Sequence, residues 1–112
     1  MALKEYLFGF KSEDRAVKYL KNLGYEIVDR NFKSKFGEID IVAKKDEILH
    51  FIEVKATSGE YESIYRVTPK KIEKIIKTLN LYILKHKFEG LYQVDAITIS
   101  KNEIRLLENI TI

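Results

Sequence analysis

The chain has 112 residues, 46% of them hydrophobic and 33% charged, enough to build a core in one compact domain spanning 1–112 and too few for a second. It contains no cysteine, which excludes disulfides and thiolate zinc sites. The formal net charge of +3 says little alone, but its distribution says more: Arg66, Lys70, Lys71, Lys74, Lys77, Lys85 and Lys87 face a single intervening acid, Glu73, leaving 13 basic and 16 acidic residues elsewhere. A basic segment on a mildly acidic body points to a polyanion contact, with a solvated helix face as the plain alternative. The opening Met1-Ala2-Leu3-Lys4-Glu5 carries no apolar run, and no stretch approaches membrane-spanning length. The expectation is a cytoplasmic protein with no membrane partner.

A first helix is expected from about Leu3 or Ser12 to Leu23, where Gly24 supplies a left-handed stop. Ala16, Val17, Leu20 and Leu23 recur at helical spacing, and Glu13 lies on the same stripe, where an acid needs a reason. Three strands follow, over Glu26–Arg30, Glu38–Ala43 and Ile48–Lys55. Gly37 punctuates the start of the second, and Lys44-Lys45-Asp46-Glu47 makes a hairpin turn. In the third strand, alternation puts Leu49, Phe51, Glu53 and Lys55 on one face and Ile48, His50, Ile52 and Val54 on the other. Both faces carry apolar residues, so the strand is expected at the centre of a sheet covered on both sides.

Ser58–Val67 reads as a polar loop carrying Tyr61 and Tyr65. Thr68-Pro69 then starts a second helix, an N-cap hydroxyl followed by proline at the first helical position. Its inward residues are expected to be Ile72, Ile75, Ile76, Leu79 and Tyr82, and it ends near His86. Strands at Tyr92–Ile99 and Glu103–Leu107 complete an α-β-β-β-α-β-β order. A strand, a crossover helix and a strand imply parallel pairing of the third and fourth strands, so the fold class is α/β with a mixed central sheet flanked by helices.

Charged residues are costly in a buried strand unless they are paired or bind a metal. Asp40 lies mid-strand in Gly37-Glu38-Ile39-Asp40-Ile41-Val42, and Glu53 and Lys55 project from one face at the end of Phe51-Ile52-Glu53-Val54-Lys55. If the hairpin forms, Asp40 comes close to Glu53. Two such carboxylates repel unless a divalent cation sits between them or one is protonated. Magnesium, or manganese in its place, suits hard oxygen ligands, and would polarise a scissile phosphate and activate a water. Lys55 could orient that water or neutralise charge on the phosphate. A Glu53–Lys55 or Asp40–Lys55 salt bridge at a sheet edge is the competing structural explanation. Glu38 shares a face with Asp40 as an extra ligand candidate, ranked below Asp40, Glu53 and Glu13 because a strand start is usually exposed.

These residues carry a family resemblance over nearly the whole chain. Gly9-Phe10-Lys11-Ser12-Glu13-Asp14-Arg15-Ala16, with Tyr19-Leu20 and Gly24-Tyr25, matches an opening G-x-x-x-E-x-x-A-x-x-y-L-x-x-x-G-y pattern. Arg30-Asn31, Gly37-Glu38-Ile39-Asp40, Phe51-Ile52-Glu53-Val54-Lys55, Val67-Thr68-Pro69 with Lys71, and Val94-Asp95 follow in matching order. The sequence resembles the YraN family of small bacterial proteins, assigned to the restriction-endonuclease-like PD-(D/E)XK superfamily. The resemblance implies an α-β-β-β-α-β nuclease core, with metal-binding acids at Asp40 and Glu53, a catalytic lysine at Lys55 and a supporting helix acid at Glu13. Glu13 also resembles a position of archaeal Holliday-junction resolvases, which makes branched DNA one candidate substrate. Two departures remove expected phosphate contacts: Ala56-Thr57-Ser58 and Gln93-Val94 stand where the family usually has an arginine.

Lys70, Lys74 and Lys77 fall near one helix face and could track a phosphate backbone, while Lys71 could approach the site from the helix start. Tyr61 and Tyr65 could stack on bases. His50 and His86 have no partner at metal-ligand spacing, so core packing and a helix C-terminal charge account for them. The expected activity is metal-dependent hydrolysis of DNA phosphodiesters. Its competitors are a catalytically weak or silent nucleic-acid-binding module and, less well matched to the basic helix, a two-carboxylate glycosidase. One site per chain would need a homodimer to cut two strands.

Overall fold

The structure, a computed structural model, describes residues 2–56 and 68–111, with backbone alone for 2–11. The expected loop Ser58–Val67 with its two tyrosines, Arg66, and the Thr57-Ser58 departure from the family pattern lie outside the described residues. Within them the order is α1 (Ala2–Asn22), β1 (Glu26–Lys33), β2 (Glu38–Lys45), β3 (Ile48–Ala56), α2 (Pro69–His86), β4 (Leu91–Ile99) and β5 (Ile104–Leu107). Among the described residues, the five strands form one sheet in sequence order, with β3 and β4 parallel and every other neighbouring pair antiparallel. This is the mixed α/β sheet and the element order expected from the sequence. No described helix is long and apolar enough to cross a membrane.

β3 sits at the centre because it is apolar on both faces. Leu49 and Phe51 join Val42, Ile75, Leu79, Tyr82 and Val94 under α2. Ile52 joins Ala16, Leu20, Tyr25, Ile41, Ala43, Ile97 and Ile99 under α1. Each valine, leucine, isoleucine or phenylalanine among them, removed from water, contributes roughly 1.5–3 kcal/mol, so the two helices are held to opposite faces mainly by this burial.

Local chemistry sets the element ends. α1 closes with the Gly24 N–H on the Lys21 carbonyl and the Tyr25 N–H on the Leu20 carbonyl, both at 3.0 Å, and Gly24 is left-handed at φ +92°. This is a Schellman end, in which Tyr25 packs back on Leu20. α2 begins with Thr68 accepting from the Lys71 N–H at 3.2 Å and Pro69 in the first turn. It ends with the same motif, the Phe88 N–H on the Ile83 carbonyl at 3.1 Å, but here Lys87 occupies the left-handed position at φ +51°. The β2–β3 hairpin turns through Asp46 and Glu47, at φ +52° and +68°, the double positive φ of a type I′ turn.

Two inward expectations differ, and one further residue is buried that the sequence pattern does not mark. Ile76 is 38% exposed, because the buried stripe of α2 is centred on Ile75, Leu79 and Tyr82 and leaves position 76 at its margin. Thr78 is fully buried instead, with its hydroxyl 2.9 Å from the Ser34 hydroxyl of the β1–β2 turn. Leu23, at the α1 end, is 41% exposed. β1 also runs three residues further than expected, to Lys33.

The two helix ends make opposite predictions. Gly24→Ala should destabilise the fold by about 1 kcal/mol, because a Cβ is strained at that φ. Lys87→Gly should stabilise it by up to about 1 kcal/mol, the relieved strain exceeding glycine's greater entropy loss. Urea unfolding followed by circular dichroism, at unchanged m, measures both.

Candidate metal centre

The site begins where the β2–β3 ladder stops. Paired residues run from Lys45↔Ile48 to Ile41↔Ile52. Beyond that point the Asp40 side chain takes over, its Oδ2 accepting the Val54 N–H at 2.8 Å. Strand alternation also breaks here: Ile41 packs under α1, while Ile39, two residues away, packs under α2. A change of face around Asp40 points its carboxylate into the fork between the strands rather than into either core.

Glu13 from α1 and Glu38 from the start of β2 reach the same place. One carboxylate oxygen from each of Glu13, Glu38 and Asp40 lies within 4.8 Å of the others, and all three residues are half-buried. Glu38, expected to be exposed, is half-buried, and the preceding Gly37 lies against α2, close to Lys74 and Thr78. Asn31, at φ +54°, faces two of the acids. With its amide nitrogen turned toward them it donates to Glu13 Oε1 and Glu38 Oε1, each at 2.9 Å. Turned the other way, the same amide presents a neutral oxygen, a further hard donor.

Crowding of like charges shows in the protonation equilibria. Burial pushes the Asp40 carboxyl up to about 8; Glu53 adds to this, then Glu13 and Glu38, against the opposing Val54 hydrogen bond. Glu13 is raised by burial and by Glu38, with Arg30 and Asn31 opposing. Arg30 reaches past the cluster to Asp14, Nη2 to Oδ1 at 2.9 Å. Among the described residues its buried Nε has no hydrogen-bond acceptor.

Glu53 stands apart from the three-acid group, near enough to raise Asp40 and itself paired with Lys55, Nζ to Oε1 at 3.1 Å. The salt bridge that competes as a structural explanation is therefore present. Alternation with Phe51 starts Glu53 from the α2 side of the sheet, whereas Glu13 comes from α1, and Asp40 interacts with both. Lys70, Lys71, Lys74 and Lys77 are exposed on α2. Lys77 pairs with Glu73 at 3.3 Å and stands over the Phe36 ring at 5.4 Å.

The donor set fits a hard divalent cation. It consists of carboxylates and an amide, with no sulfur or imidazole, as magnesium or manganese requires. Their mutual repulsion is what such a cation would relieve.

His50 does have a partner, 45 residues away and invisible to local spacing. Its Nδ1 lies 2.6 Å from Asp95 Oδ2, both residues being buried. Asp95 Oδ1 accepts from Gln93 Nε2 at 2.9 Å and from the Asn109 N–H at 2.8 Å. Glu108 brings a third potential ligand atom to this pair, but Asp95 already takes three donors and ties the chain after β5 back onto β4. Sequence reasoning misses this brace. Its one signal is an aspartate, Asp95, between the apolar Val94 and Ala96 of β4. His86 does what a helix C-terminus suggests, lying in the last turn of α2 with its ring 4.1 Å from that of Tyr82.

Comparison with known proteins matches residues 12–99 to a family described as the uncharacterised protein family UPF0102. A UPF0102 protein of Campylobacter hominis is 62% identical over 112 residues, covering 100% of both chains. Relatives from Campylobacter fetus subsp. fetus and Campylobacter lari, also UPF0102 proteins, are each 60% identical over 99% of both chains.

The raised Asp40 pKa makes stability fall with pH. Between its ordinary value of 3.8 and about 8, the folded state holds a proton that the unfolded state has lost. In EDTA, stability should therefore decrease as pH rises through that window, by at most about 1.4 kcal/mol per unit. Asp40→Asn should flatten the dependence and exceed the parent in stability at pH 8. Added manganese should stabilise the parent there and leave the variant nearly unchanged. Thermal unfolding across pH, with EDTA or manganese, reads all three.

Proposed function

Taking as premise that the chain belongs to the YraN-type UPF0102 family, we propose that it is a metal-dependent nuclease hydrolysing DNA phosphodiesters. The observation that carries this reading is the meeting of Glu13, Glu38 and Asp40 within 4.8 Å, beside the Glu53–Lys55 pair. Glu13, Glu38 and Asp40 hold magnesium or manganese, with Asn31 able to add an oxygen and Glu53 close by. A bound divalent cation supplies Lewis-acid chemistry toward phosphate and water.

The protein's own groups do the positioning. The Val54 N–H fixes one Asp40 oxygen, leaving the other for the cluster. Glu53 holds the Lys55 ammonium at the site, where it neutralises charge on the transferred phosphate or orients the attacking water. The lysines of α2 bind neighbouring phosphates. Branched DNA is one substrate class, and cutting both strands requires two copies of the chain.

A second reading, a nucleic-acid-binding module that keeps the fold without cutting, draws on the Glu53–Lys55 salt bridge, which satisfies both charges without a substrate. Cleavage assays on single-stranded, duplex and branched DNA separate the two. The nuclease reading expects cutting with magnesium or manganese, none in EDTA, and a loss of roughly 100-fold or more in Asp40→Asn, Glu13→Gln and Lys55→Ala. Binding without metal-dependent cutting supports the module, and cutting that survives Asp40→Asn unchanged removes the proposed site.

A further inference from the structure

On the face of the sheet covered by α2, a second feature carries no acid at all. A shallow groove of about 530 Å³ is lined by Phe32, Lys33, Ser34, Lys35, Leu81, Leu84 and Lys85. Its floor is apolar and open: Leu84 is 74% exposed and Leu81 36%. Cations stand on both banks, Lys33 from the end of β1, Lys35 from the β1–β2 turn and Lys85 from the helix. Lys85 Nζ lies 5.7 Å from the centre of the Phe32 ring and Lys35 Nζ 5.2 Å from that of Phe36.

The groove belongs to a longer stripe. Lys70, Lys74, Lys77, Leu81 and Lys85 recur at three- and four-residue spacing, so they share one face of α2. From Lys74 to Lys85 that face extends about 16 Å at 1.5 Å per residue. The turn opposite is pinned to it by the Ser34–Thr78 hydrogen bond and leads through Gly37 directly into Glu38 of the acidic cluster.

We infer that this groove binds a single-stranded segment of nucleic acid, with bases against Leu81, Leu84 and Phe32 and phosphates on Lys33, Lys35 and Lys85. The inference rests on the reading of the chain as a protein that acts on DNA, and it names which part of the substrate this face takes. Charge complementarity selects a polyanion. The apolar floor selects one with exposed bases, since a duplex stacks its bases away and would meet leucine with phosphate. A second copy of the chain fits poorly, because a symmetric contact would bring three lysines against three lysines.

The test is fluorescence anisotropy in EDTA, so that nothing is cut, with a labelled oligothymidylate and a duplex of equal length. The double variant Leu81→Ser/Leu84→Ser should bind the single strand about 5- to 100-fold more weakly and the duplex as before. Lys33→Ser/Lys85→Ser should flatten the salt dependence of single-strand binding, by about 0.7 in the logarithmic slope for each phosphate no longer neutralised. Thermal unfolding confirms that both variants fold. Unchanged single-strand binding in the leucine variant, equal losses on both DNAs, or tighter binding to anionic phospholipid vesicles than to the oligonucleotide would overturn the inference. Concentration-dependent self-association abolished by the same leucine changes would also overturn it.

Cleavage assays run in parallel keep the two ideas distinct. Metal-dependent cutting with an indifferent leucine variant sinks the groove alone. Groove-dependent binding without any cutting sinks only the hydrolase.

Discussion

Two antiparallel strands share a ladder only while their backbones stay in register, and between β2 and β3 a carboxylate takes over where the paired residues end. The hydrogen bond from the Val54 N–H to Asp40 spans the fork at 2.8 Å. It also orients Asp40 toward two acids that approach from α1 and from the start of β2. Without that bond the buried carboxylate would be free to rotate away from its neighbours. The arrangement is held against its own electrostatics by the two cores on either side of the sheet, each contributing several fully buried aliphatic side chains.

Several local devices deliver the acids to the fork. Ala16 and Leu20 pack α1 into the core beneath it and the Schellman end at Gly24 closes the helix, on which Glu13 is carried to the site. Asn31 takes a left-handed conformation within β1 and faces Glu13 and Glu38, bridging them when its amide nitrogen is turned toward them. The Ser34–Thr78 contact anchors the turn that leads into Glu38. The polar geometry of the site thus depends on packing and turn chemistry well outside it.

Much of this is legible in the sequence. Both described helices and the five described strands follow from periodicity, from Gly24 and from Thr68-Pro69, because these signals are local, and the parallel β3–β4 pairing follows from the crossover helix between them. Glu13 and Asp40 stand out because acids on apolar stripes are costly. Glu38 reads as exposed on sequence grounds, since no local pattern shows that this strand start is half-buried beside Glu13 and Asp40. The Asp95 partner of His50 is hidden for a similar reason: β3 and β4 are joined through a helix, and which residues face each other depends on a register no sequence pattern announces. Thr78 escapes notice because a hydroxyl at a helix margin gains a reason to be buried only when a distant serine meets it.

Two aspartates in the same sheet separate what a carboxylate does for a fold from what it does for a site. Asp95 is fully buried and accepts from a histidine ring, a glutamine amide and a backbone N–H, so most of its lone pairs are used and its neighbours donate. A buried acid kept for stability is expected to have such surroundings. Asp40 has one backbone donor and three acids around it, and its carboxyl is pushed up to about 8. Local choices that oppose the fold's stability are expected where something other than the fold needs them. On the proposed reading the missing counter-charge is a divalent cation, since Lys55, the ammonium group expected at this site, is committed to Glu53 rather than to Asp40. The protein thus neutralises one acid of the site internally and leaves the others to be completed from outside.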